Sequence, residues 1–229
     1  MRFLTLFVIT VVVFLAQAAF QDSAAVRQLL TVAYLYAVWV ALSASGASTV
    51  VRTTLLVTWG ATVLLRLMPV PGAEAASLLA ACALGALLLA TCGAAIGRYV
   101  LLARTVSADT LFAAAVAYIL FASAFGQVYT GLHVSLHEGF VIPEYLTGQL
   151  AANPDQLFNY FSFVTMATLG YGDIVPRHPL AQVVVALETI MGQLYLAIVV
   201  AWLVGSIAVN RSNGAGDDRT ASRSAAEDR

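Results

Sequence analysis

Thr168-Leu169-Gly170-Tyr171-Gly172-Asp173 is the stretch on which the reading of this chain turns. Two glycines alternate with larger residues, a threonine opens the run and a carboxylate closes it. Glycine adopts backbone angles that other residues resist, so alternate glycines let successive carbonyls turn toward one axis. Upstream stands Asn153-Pro154-Asp155, then Gln156–Ala167. Asn153 is a favoured helix N-cap, and Pro154 fits the first helical position. As a helix, Gln156–Ala167 is roughly 18 Å long, about half of a bilayer. A helix that enters a membrane and stops partway must return as non-helical backbone. Such backbone is tolerated at membrane depth only where protein buries it or where it lines a water-filled path.

The rest of the chain supplies the membrane. It has 229 residues, of which 61% are hydrophobic and 10% charged. Soluble domains carry about 25% charged residues. Six apolar stretches are long enough to cross a bilayer as helices: Phe3–Phe20, Gln28–Ser45, Val50–Met68, Ala75–Ile96, Leu111–Tyr129 and Leu180–Val209. The expected fold is therefore an all-α membrane protein with six transmembrane helices and a re-entrant half-length helix and loop between helices five and six, which the resemblance described below makes a pore helix and a filter loop. Met1-Arg2 followed by an apolar run and Ala16-Gln17-Ala18 also reads as a signal peptide. A retained helix is favoured because a second apolar helix follows almost at once. Arg2, Arg52, Arg98, Arg104 and Arg211 fall on one side of a six-helix alternation, and Arg27, Arg66 and Arg177 on the other. The bias places both termini in the cytoplasm and residues 130–179 outside. The net charge of −1 and the lack of a basic patch argue against a nucleic-acid partner. Cys82 and Cys92, on one helix about 15 Å apart, are too distant for a disulfide and read as small packing residues.

Phe163–Pro176, FVTMATLGYGDIVP, resembles the pore signature of potassium channels, in particular bacterial members built on a two-helix pore module. Leu169 stands where the usual signature has Val, and Ala167 where Thr is commoner. Gly192 lies nineteen residues after Asp173, matching the family's gating hinge in the inner helix. Tyr160 and Phe161 match its filter-bracing aromatics. The likeness covers roughly residues 106–209. It implies a homotetramer in the lipid bilayer of a bacterial cell, with K+ as permeant ion and no cofactor. It implies K+ coordination at Thr168, Leu169, Gly170 and Tyr171, a selectivity filter completed by Gly172, and Asp173 at the outer mouth. The carbonyl rings replace the ion's hydration shell. Residues 1–105 would form a four-helix membrane domain and 106–209 the pore domain. Residues 210–229, nearly free of apolar side chains, are expected to be disordered.

Other readings carry less. A voltage sensor needs repeated arginines, each worth about 2.3 kcal/mol per 100 mV. Ala75–Ile96 has none, so the first four helices are expected to pack or anchor. His133 and His137 are four residues apart, with Glu138 as the near third candidate for a metal or proton sensor; a solvated outer loop is the simpler reading. An intramembrane serine protease would need a base near Ser45 or Ser48, yet all three histidines lie in the outward segment. A weakly selective cation channel and a non-conducting auxiliary subunit remain as alternatives. Glu188 is the acidic residue well inside a span, and a carboxylate there should face protein or water. Helix geometry rotates it roughly 100° from Gln193, Leu196 and Val200, the positions that would line a cavity. It is thus expected to brace the filter from behind through the hydroxyls of Ser162 and Thr165. A solvated carboxylate near the helix end and a cavity charge are its alternatives.

Overall fold

The computed structural model describes residues 2–19, 26, 32, 49–68, 70–103, 107–136 and 138–227. In chain order the elements are α1 (Arg2–Ala19), α2 (Thr49–Leu67), α3 (Glu74–Leu102), α4 (Ala108–Ser135), β1 (Phe140–Val141), α5 (Glu144–Ala152), α6 (Pro154–Met166), β2 (Val175–Pro176) and α7 (Pro179–Glu227). Among the described residues, three stretches are long and apolar enough to cross a membrane: Glu74–Leu102, Ala108–Ser135 and Pro179–Trp202. Phe3–Gln17 and Thr53–Leu67 are shorter apolar helices. The expected span Gln28–Ser45 lies outside the described residues apart from Val32.

Three features depart from the sequence reading. The fold contains a two-stranded antiparallel pair, Phe140 opposite Pro176 and Val141 opposite Val175. Strands this short carry no periodic signal. A nine-residue helix, α5, precedes α6. The last helix continues to Glu227, over the tail whose composition predicts disorder. Its Ala, Arg and Glu residues are all competent helix formers.

Helix α4 is the hub. Ser107 caps it, its side chain accepting from the Thr110 amide at 3.2 Å. One apolar cluster joins α4 to α1, α2 and α3 through Leu6, Leu55, Cys92, Ile96, Val116 and Leu120. Cys92 lies in this cluster, and both it and Cys82 are buried and form no disulfide, as packing residues would be. Asp109, in the first turn of α4, accepts from the Phe3 amide at 3.0 Å and the Leu4 amide at 3.4 Å. It satisfies two amides that a helix start leaves unpaired. The starts of α1 and α4 therefore lie together.

A second, aromatic cluster fixes α6. Phe158, Phe161, Tyr129 and Phe140 pack with ring centroids 5.0 Å to 5.8 Å apart. His133 packs on Phe158 at 5.3 Å, which puts it in the aromatic cluster, and His137 lies outside the described residues. Across α4, Arg66 at the end of α2 grips Asp155 in the first turn of α6 with both terminal nitrogens, and also reaches the Gln127 amide oxygen. The Arg66 and Asp155 side chains are 22% and 25% exposed. Asp155 is doubly favoured, by the guanidinium and by the positive end of the helix dipole. The first helices are thus tied to the element that carries the Thr168–Asp173 loop.

Removing one partner of a largely buried ion pair strands the other charge. Arg66→Met should lower stability by about 2 kcal/mol or more, read as an earlier thermal midpoint of the detergent-solubilised protein. Arg66→Met combined with Asp155→Asn should recover most of the loss. A double variant as unstable as the sum of the singles would contradict this account.

Candidate ion-conduction site

Helix α6 begins on Asn153, whose side chain accepts from the Gln156 amide at 3.3 Å, with Pro154 in its first turn. Its thirteen residues end at Met166, so it is about 20 Å long. Two glycines let it sit unusually close to its neighbours. A Cβ on Gly126 of α4 would lie 3.0 Å from the Asn159 Cα. A Cβ on Gly192 of α7 would lie 2.5 Å from the Met166 carbonyl oxygen and 2.8 Å from its Cγ. The structure therefore gives Gly192 a packing reason. Small residues serve close helix approach in membranes in the same way.

The chain beyond α6 folds back on the helix end. The amides of Leu169 and Gly170 both donate to the Val164 carbonyl, at 2.9 Å and 3.3 Å, and the Thr168 amide donates to Thr165 at 2.9 Å. Thr168, Gly170 and Gly172 have φ of 56°, 55° and 75°. Left-handed backbone thus recurs at every second residue of the loop. Glycine accepts this freely, whereas for Thr168 it is strained. With the amides turned to the helix, no described donor reaches the carbonyls of Thr168–Gly172 within the chain. Leu169 and Tyr171 project outward, 55% and 65% exposed.

Asp173 closes the loop. Its carboxylate accepts from the Tyr160 hydroxyl at 2.6 Å and from the Ile174 amide at 2.9 Å. Tyr160 therefore reaches the outer end of the loop directly. Phe161 is buried in the aromatic cluster with Tyr129 and with Ile174, the residue after Asp173.

Glu188 is fully buried. One carboxyl oxygen meets the Ser162 hydroxyl of α6, and the other receives the Tyr129 hydroxyl of α4. Ser162 also lies 2.6 Å from the Ala122 carbonyl of α4. The three helices around the loop are thus joined at one carboxyl group. Thr165 enters this region through its carbonyl, which holds the Thr168 amide, and among the described residues its hydroxyl does not bond to Glu188. Sequence reasoning missed Tyr129 because its partner is 59 residues away and no spacing rule links them. Near the inner end of the loop, Gln193 donates to the Thr168 hydroxyl at 3.2 Å.

Residues 158–208 match a family model described as an ion channel. The chain is also similar to the inward rectifier potassium channel Kirbac3.1 of Paramagnetospirillum magnetotacticum, 37% identical over 73 residues, 30% of this chain and 25% of the relative. The matched part is thus a quarter of the relative's length. No solved structure matches the chain.

The Glu188 node yields a prediction. Glu188→Gln keeps both oxygen-level contacts in hydrogen-bonding form, whereas Glu188→Leu leaves the Tyr129 and Ser162 hydroxyls without this partner. An unmade buried hydrogen bond costs roughly 1–3 kcal/mol per group. Glu188→Leu should therefore lower the thermal midpoint markedly and Glu188→Gln much less. Equal losses in the two variants would contradict a bracing role.

Proposed function

We propose that this chain is the subunit of a potassium-selective channel, in which four copies close one pore and Thr168–Gly172 of each copy supply the filter. The observation that carries the reading is the recurrence of positive φ at Thr168, Gly170 and Gly172. Alternation of left-handed and ordinary residues turns successive carbonyls to one side, the arrangement that replaces a potassium ion's water shell. Thr168, Leu169, Gly170 and Tyr171 would coordinate K+, with Asp173 concentrating cations at the outer mouth. Glu188, Tyr129 and Ser162 would hold the filter from behind. Gly192, which its packing explains, would also be the point where α7 bends on opening.

Closure by further copies is supported by what one chain leaves bare. Only 11% of the Pro179–Trp202 window is buried, against 44% for Glu74–Leu102 and 56% for Ala108–Ser135. On the same side lies the polar loop backbone, which lipid could not solvate. Neighbouring copies would cover the apolar face, and a central water-filled path would receive the carbonyls. The six-span topology is supported by the common side on which α1 and α4 begin, and by the apolar Gln28–Ser45 sequence that separates α1 from α2. The first four spans would anchor the pore domain through Arg66 and Asp155 and contribute little voltage dependence.

Native mass measurement of the detergent complex should give four chains. Liposomes carrying it should take up rubidium against a potassium gradient. A Cβ at Gly170 or Gly172 meets no atom of its own chain within 4 Å, so alanine there strains the backbone alone. That strain is about 1–2 kcal/mol per residue, repeated in every copy. Gly170→Ala and Gly172→Ala should abolish uptake or admit sodium. Unchanged preference in both variants, or a monomer as the only conducting species, would overturn the proposal.

A further inference from the structure

The polar side chains of the inner half of the last span are few. A polar group in a membrane span is expensive and usually has a partner or a task. Three polar side chains around the middle of the span are already engaged, Tyr195 and Glu188 with other helices and Thr189 within α7 itself. Thr189 donates to the Val185 carbonyl at 2.9 Å, Tyr195 to the Ala114 carbonyl at 2.7 Å, and Glu188 meets Tyr129 and Ser162. Gln193 differs. It is exposed on the single chain, among exposed Ile190, Leu194 and Leu196. Among the described residues its side chain makes one hydrogen bond, from Nε2 to the Thr168 hydroxyl oxygen at 3.2 Å.

The placement is rigid at both ends. Gly192, the preceding residue, is seated against the Met166 carbonyl so closely that no Cβ fits. Thr168 is held by its amide's bond to Thr165 and has left-handed backbone. A threonine hydroxyl has one proton and two lone pairs. If an amide N–H occupies one lone pair, one remains for a cation. The N–H also brings its positive hydrogen to the oxygen that the cation would approach. The amide and a cation therefore compete at Thr168.

We propose that Gln193 is a specificity-determining residue of the innermost cation site: its carboxamide occupies one lone pair of the Thr168 hydroxyl and so weakens cation binding at the inner end of the filter. The inference rests on the reading of this chain as a potassium channel. It gives the inner site a lower affinity than its carbonyls alone would provide, which favours release of the ion into the cavity.

The test uses the full chain in planar bilayers, with barium, a divalent cation of nearly potassium's radius, applied from the inner side. Gln193→Leu keeps volume and removes the donor, and Gln193→Asn shortens its reach by one methylene. Loss of one hydrogen bond that competes with the ion should tighten barium block about fivefold, corresponding to about 1 kcal/mol. The tightening should vanish when Thr168→Val has already removed the hydroxyl. Block that is unchanged or weaker in Gln193→Leu overturns the inference, as does tightening that persists beside Thr168→Val. Should Gln193→Leu fail to assemble, Gln193→Asn decides between the same outcomes. A wild-type chain that passes no potassium current would overturn the channel reading itself, an outcome distinct from a conducting channel indifferent to Gln193.

Discussion

The thirteen-residue α6 stops at a reversal of the chain, which leaves its last carbonyls, and the backbone that follows, in need of hydrogen-bond partners. Everything near α6 answers that constraint. The Val164 and Thr165 carbonyls are taken up by the amides of Thr168, Leu169 and Gly170. The helix end and the loop thereby satisfy each other's amides and carbonyls, and the loop carbonyls are left over. Those remaining carbonyls are the surface on which the proposed function rests. Burying unpaired backbone acceptors is unfavourable by several kcal/mol each in hydrocarbon, so they call for water or ions.

Holding such a loop demands precision from its supports, and the supports come from both flanks. Gly126 of α4 and Gly192 of α7 let α6 approach to backbone contact on two sides. Between them, Glu188 links α7 to α6 through Ser162 and to α4 through Tyr129. Tyr160 clasps Asp173 beyond the loop, and Arg66 clasps Asp155 before the helix. Each end of the segment formed by α6 and its loop thus has a charged or hydrogen-bonded anchor, and its middle has close packing. A shift of α7 would reach the loop through Gly192 and Gln193 together, because one touches Met166 and the other Thr168.

Local chemistry made much of this legible in the sequence. Asn153-Pro154 marked the start of α6, and the Gly170 and Gly172 spacing marked where left-handed backbone would occur. Glu188 stood out because a carboxylate in an apolar run needs a partner, and rotation around the helix pointed it to Ser162. The partners that sequence could not supply are those joined across long separations. Tyr129 reads as one aromatic among many, and Arg66 reads as a topology marker until Asp155 is found beside it. Phe161 matches a family position that braces the filter, and its burial beside Tyr129 and Phe140 had no signal in the sequence. The β1–β2 pair and α5 are too short to leave a periodic pattern. The Thr168 backbone angle had no signal at all, since threonine ordinarily avoids it.

The central claim is that this backbone selects potassium. It is tested most directly by the reversal potential of the purified chain alone, in a planar bilayer with equal potassium chloride and sodium chloride on opposite sides. The account predicts a reversal potential displaced far toward the potassium equilibrium value. A value near zero, or one that follows chloride when the anion is changed, would contradict it.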